Sequence, residues 1–199
     1  MNRYAVLAVL SVFIVACNRE KPAQESQIQS TPSPSMTQTV PAHGGSSNAA
    51  AGMHWTVPGR WASHPPSQMR AATYFVPASE GDEEGAECAV FFFGGGQGGD
   101  LQSNIDRWAS QFDGSPKAEQ SSKEINGIHV TLIKIAGDYL APSGPMMQSS
   151  GTKKGYRLLG AIVDAPGGAV FFKMTGPKKT IGDAEQEFND MVGSLTKDA

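Results

Sequence analysis

Gly94, Gly96 and Gly99 have the G-x-G-x-x-G spacing with which a dinucleotide fingerprint brings backbone amides against a pyrophosphate. They follow an apolar run at 86–93 and precede an amphipathic run from Leu101, so phosphate binding at a helix N-terminus is the chemistry to weigh. Three features oppose it. The amphipathic run leads to Glu124-Ile125-Asn126-Gly127-Ile128, an Asn-Gly hairpin signal, and not to the parallel strand of a βαβ unit. Asp100 already brings negative charge to the helix start, and no lysine follows to make a P-loop. The glycines read more simply as a flexible crossing.

Other chemistry-bearing residues lack the spacing that their chemistry needs. The carboxylates of residues 80–87 are oxygen ligands suited to calcium, but without the alternation of an EF-hand, and a solvated turn explains them. His54, His64 and His129 form no pair at zinc-ligand spacing, and His43 stands apart from them. Adding the thioethers of Met69, Met146 and Met147 would suit Cu(I), the softer metal. Cys88 lies in the apolar run without a neighbouring base, which describes a buried small hydrophobe better than a nucleophile. There is no G-x-S-x-G. The expectation is no catalytic residue, no metal site, no cofactor and no enzyme.

The elements that would carry these residues can be read from periodicity. Leu101, Ile105, Trp108 and Phe112 make one helical stripe with Asp100 as its cap. Ile181, Ala184, Phe188, Met191 and Leu195 make a second, with Thr180 and Asp183 as its N-terminal signal. Strands are expected at 55–57, 71–76, 86–93, 156–163 and 169–174. Turns are expected at Asn126-Gly127 and Pro166-Gly167. Three stretches, 86–93, 158–163 and 169–172, are apolar on both faces and need cover on both. The fold class is therefore α+β, a mostly antiparallel sheet flanked by two helices. Residues 138–155 read as a long loop, apolar yet rich in breakers, in which Tyr139, Leu140, Met146 and Met147 form a candidate contact surface for a partner.

The chain begins with one cation, Arg3, and an apolar run over 4–15. Those dozen residues would make roughly 18 Å of helix against a hydrocarbon core of roughly 30 Å, so a signal-peptide core fits and a membrane span does not. The run ends in Ile14-Val15-Ala16-Cys17, which resembles the bacterial lipobox. The resemblance implies that the Cys17 thiol receives a diacylglyceryl group, that cleavage frees its amine, and that the amine is open to further acylation by palmitate or its like. Asn18, not aspartate, follows, which in enterobacterial sorting favours the outer membrane. Residues 1–16 are then the signal peptide. Residues 17–53 are the lipidated cysteine and a Ser/Thr/Pro/Gln-rich tether, too polar to fold and with a reach of about 30–35 Å. Residues 54–199 form a single domain.

Composition limits the partners. The formal charge is −3, and −4 once Arg3 leaves with the signal peptide. A mild acidic balance without a basic cluster excludes nucleic acid and leaves membrane attachment to the acyl chains. With Cys17 acylated, Cys88 has no intramolecular disulfide partner.

The run Trp55, Pro58, Trp61, then Arg70, Tyr74, Pro77, then Glu87 and Val90-Phe91-Phe92-Phe93-Gly94, then Asn104, Arg107-Trp108 and Gln111-Phe112 resembles a group of exported bacterial lipoproteins of uncharacterised role. Tyr156 to Ile162 and Phe171-Phe172-Lys173 with Thr175-Gly176-Pro177 match the same group. The element order is similar to the PsbP-like fold, whose members are mostly binding and assembly accessories, although fold does not fix function. These readings lead to an expected lipid-anchored, periplasm-facing lipoprotein of the cell envelope. Its domain is a non-catalytic binding or assembly module with an unidentified envelope protein as partner. A small-ligand or metal carrier is the alternative, and an envelope hydrolase a more distant one.

Overall fold

Helices cover both faces of one sheet, and that is why three of its strands carry apolar residues on both faces. A computed structural model describes residues 48–65, 67, 70–143 and 148–199, all within one compact unit. The order is β1 (Ala49–Ala50), β2 (Met53–His54), β3 (Ala62–His64), β4 (Ala72–Val76), β5 (Ala86–Phe92), α1 (Leu101–Ala109), β6 (Glu119–Ile125), β7 (Ile128–Ser143), β8 (Gln148–Ala165), β9 (Gly168–Pro177), α2 (Lys178–Gly193) and β10 (Thr196–Lys197). The main sheet has seven strands in the order β3-β4-β5-β9-β8-β7-β6, every neighbour antiparallel. This is the α+β architecture expected from the sequence.

The two-residue period sends alternate side chains to opposite helices. On one face Ile105, Trp108 and Phe112 pack with Ile133, Ile135, Tyr156, Leu158, Ile162 and Phe171. On the other, Ile181, Ala184, Phe188 and Met191 pack with Leu159, Ala161, Val170, Phe172 and Met174, and with Trp55 and Tyr74. Trp55 Nε1 donates to the Tyr74 hydroxyl at 2.8 Å, so the second core holds its buried polar tips paired. Leu195 and Phe112 both follow the ends of their helices yet remain in the cores that their stripes assigned them.

Several elements differ from the expected ones. Residues 138–155 are not a loop: β7 and β8 pair from Val130↔Val163 out to Ser143↔Gln148. Register shifts between Gly137 and Tyr139 and between Leu140 and Pro142 absorb the breakers, since bulges accept residues that a regular ladder rejects. The expected strand at 55–57 lies two residues earlier, as β2. With β1 it draws 48–53, read as tether, into the folded body, where Met53 is fully buried. The second helix is not capped by Thr180 with Asp183. It starts at Lys178 after Pro177, and Asp82 reaches in from the acidic loop to accept from Thr180 N at 2.9 Å and Thr180 Oγ1 at 2.6 Å. Asn126 and Gly127, at φ +50° and +72°, form the tight turn their sequence predicts. No helix among the described residues is long and apolar enough to cross a membrane.

Candidate functional site

The face that α1 shares is only partly covered by it. The helix and its C-terminal turn sit over β7, β8 and β9, and beyond them lies an open stretch over β3, β4 and β5. Lys173 stands at the border. It is the one charged residue in an otherwise apolar stretch of β9, and alternation turns it to the α1 side. Its cross-strand neighbours are Ala89 in β5 and Gly160 in β8, the two smallest side chains available. Trp108 fills the space over Gly160. Arg70 fills the space over Ala89, because it pairs with Glu87 at 2.9 Å while its guanidinium carbon lies 5.6 Å from the ring centre of Phe91. Glu87 and Phe91 are the residues two before and two after Ala89 on the same face.

Lys173 Nζ donates to Gln111 Oε1 at 2.5 Å and lies 5.9 Å from the ring centre of Tyr139. It makes no ion pair among the described residues. Burial pushes its amine down to about 8, Glu87 acts in the opposite sense, and Arg70 and Arg107 add to the depression. Gln111 is held by the turn that ends α1: its carbonyl accepts from Leu140 N at 2.8 Å. Two residues further along β9, the Thr175 hydroxyl is buried without a hydrogen-bond partner among the described residues.

An aromatic and ionic brace stands behind the lysine. Tyr139 stacks on Tyr156 at 5.7 Å and meets Phe112 edge-on at 5.3 Å. Tyr156 donates to Glu84, which also takes Lys153 at 2.6 Å. Burial, then the bond to Glu84, raises the Tyr156 phenol, and the same two donors, Lys153 first, hold Glu84 below the usual carboxylate range. Next to the open stretch is a cavity of about 310 Å³ lined by His64, Arg70, Thr73, Phe75 and Glu87. Phe75 is 44% exposed at its rim.

The expected contact surface is redistributed by this arrangement. Tyr139 is no exposed contact residue: it is half-buried in the wall of the Lys173 site, because its strand continues the sheet. Leu140 is half-buried on the same strand, and Met146 and Met147 lie outside the described residues, as do Cys17, His43 and Met69. The acidic loop is engaged by the protein itself, Asp82 at α2 and Glu84 at Tyr156 and Lys153. In the glycine loop, a methyl group at Gly98 would come 2.8 Å from the Phe171 ring, and Gly98 O accepts from Asn104, so close packing accounts for it. Asp100 caps α1 through Ser103 N at 2.9 Å. His54 bonds to Asp198 and Thr196, His129 to Glu124, and Cys88 is buried.

No family model and no curated protein matches this chain. Among solved structures it is similar to the solution structure of cyanobacterial PsbP (CyanoP) from Synechocystis sp. PCC 6803. The identity is 13%, over 76% of this chain and 89% of that one, with a TM-score of 0.45. At that identity the likeness concerns the fold alone.

Sequence reasoning singled out neither Lys173 nor Arg70 as site residues. The signal for Lys173 is a cation in the run Ala169-Val170-Phe171-Phe172-Lys173-Met174, where both faces must be covered. Arg70 follows a segment without periodicity and carries no signal of its own. Chemically, the cluster holds two neighbouring cations, one carboxylate and a buried hydroxyl. Lys173 donates to an amide oxygen and faces a ring, an arrangement that can hold an anion.

Proposed function

We propose that this chain is a membrane-anchored envelope lipoprotein whose domain is a non-catalytic binding module, working through the open stretch beside Lys173. The observation that carries the reading is a half-buried ammonium without a carboxylate partner among the described residues, set against an aromatic wall, with a cavity lined by its neighbours Arg70 and Glu87. Burying a charge unpaired costs stability, and surfaces that keep such a charge do so most readily where a partner completes it. Ile14-Val15-Ala16-Cys17 supports the anchor, and a tether gives the module reach at the outer membrane.

Two measurements test it. Labelled palmitate should enter the wild-type chain and not the Cys17→Ala variant; a wild-type chain left unlabelled and freely soluble ends the anchored reading. A photo-crosslinker at Phe75 should trap an envelope protein in cells, and Lys173→Glu should abolish the adduct. An adduct unchanged by Lys173→Glu rejects this face as the contact surface. The cavity, at about 310 Å³, also favours a small-ligand carrier as the second reading, which native mass spectrometry would support through a bound mass.

A further inference from the structure

We propose that the face around Lys173 and Arg70 binds an organic carboxylate, a monoanion with an apolar body. The inference rests on the binding reading above and names what would occupy the site. Arg70 bridges from Phe91 to Glu87 across Ala89, and Ala89 is the direct cross-strand partner of Lys173. The Arg70 guanidinium thus lies over the residue that pairs with Lys173, near enough to add to the depression of the Lys173 amine.

The charged and titratable groups that face Lys173 come from every element around it. They are Glu87 from β5, Arg70 from the segment before β4, Arg107 from α1 and Tyr139 from β7. One carboxylate stands against three cations. Glu87 is taken by Arg70, and Arg107 donates to Asn104. Among the described residues Lys173 is left with a neutral amide and a ring face. An ammonium has three donors, and Gln111 uses one of them. The Thr175 hydroxyl, buried and without a partner among the described residues, lies on the same side of the sheet. Together they offer what a carboxylate accepts, and planar carboxylate geometry suits the Arg70 fork.

The charge balance also selects the ligand. Arg70 and Glu87 neutralise each other, so a monoanion matches the charge of Lys173, while Arg107, exposed on α1, adds to the positive field. The adjoining cavity, with Phe75 at its rim and Phe91 behind Arg70, takes apolar bulk. Since the amine deprotonates near pH 8, binding weakens as pH rises through that value while the ligand stays ionised.

Benzoate is the probe. Titrated into the full chain and followed by amide chemical shifts, it should give saturable changes at Ala89, Lys173 and Thr175 at pH 7. Binding should be about ten-fold weaker or more at pH 9.5. Lys173→Gln should abolish it, Lys173→Arg should restore it without the pH dependence, and Arg70→Gln should weaken it at both pH values. Neither Lys173→Gln nor Lys173→Arg puts an unmatched acid into the site, so loss of binding is not loss of fold. No saturable change, equal binding by Lys173→Gln, or inorganic phosphate binding as tightly as benzoate would overturn the inference. If benzoate fails while Lys173→Glu still abolishes the envelope adduct, the ligand class is wrong and the surface stands. If benzoate binds and the adduct is unaffected, the site stands and the partner surface lies elsewhere.

Discussion

Trp108 occupies the space that a side chain at Gly160 would need: a methyl group there would come 2.3 Å from Trp108 Cζ3. Helix and sheet meet at this glycine, and the indole is 3% exposed as a result. Gly160→Ala should therefore destabilise the domain by about 1–3 kcal/mol through overpacking. Trp108→Leu alone should also cost stability by leaving a void, but the double variant should lose less than the two single losses combined. Urea midpoints of the four proteins check this, and strictly additive losses would show that the two residues do not share one space.

Asp82 ties the acidic loop to the start of α2. It accepts from both the amide and the hydroxyl of Thr180, whose own oxygen accepts from Ser79 N at 3.0 Å. Asp82→Ala should cost about 1–2 kcal/mol, with Asp82→Asn retaining part of that, as for a helix cap. Thermal unfolding of the two variants measures the difference. Glu83→Ala, in the same loop but exposed, provides the comparison and should change little.

Cys88 is fully buried in β5, and burial pushes its thiol well above the ordinary range. Thiolate is the reactive form, so the native chain should resist thiol reagents. In a Cys17→Ala background, labelling at pH 8 should be negligible without denaturant and should rise with urea in parallel with global unfolding. Rapid labelling of the native protein would mean that β5 opens locally.

Lys173 makes the stability of the domain depend on pH in a known direction. Its folded value is lowered from 10.5 to about 8, so between those values the unfolded chain holds the proton and the folded chain does not. Stability from this group therefore rises as pH increases through that window, and below about 8 the folded state carries the whole penalty. Lys173→Met should stabilise the domain by about 2 kcal/mol at pH 7, less than the full shift implies because the amine keeps some water. That advantage should shrink towards zero by pH 10.5. Denaturation of wild type and variant at pH 7 and pH 10 checks it, and an advantage that grows with pH would reverse the assignment.

Elements with a strong period were the legible ones. The stripes Leu101 to Phe112 and Ile181 to Leu195, and the runs 86–93, 156–163 and 169–174, appear where they were expected, and the apolar residues on both faces of those runs foretold two-sided cover. The outer half of the β7–β8 ribbon was hidden by Gly137, Pro142 and Gly144, which signal a break, whereas bulges let the pairing continue. Strand β6 was obscured by its polar sequence, since an edge strand with six exposed residues carries no apolar alternation. The cluster at Lys173 was illegible for another reason. Its members come from 70, 87, 111, 139 and 173, and only strand order β4-β5-β9-β8-β7 and the turn after α1 bring them together.

The small sheet of β1, β2 and β10 has a mechanical consequence. Thr196 pairs with His54, Asp198 N donates to Gly52 O, and the first and last described segments of the domain are stitched to the same short strand. Entry and exit of the chain are thus neighbours. A passenger fused after Ala199 would be carried beside the point where the N-terminal segment enters, and traction applied at Asn48 would load this clasp before it reached the main sheet.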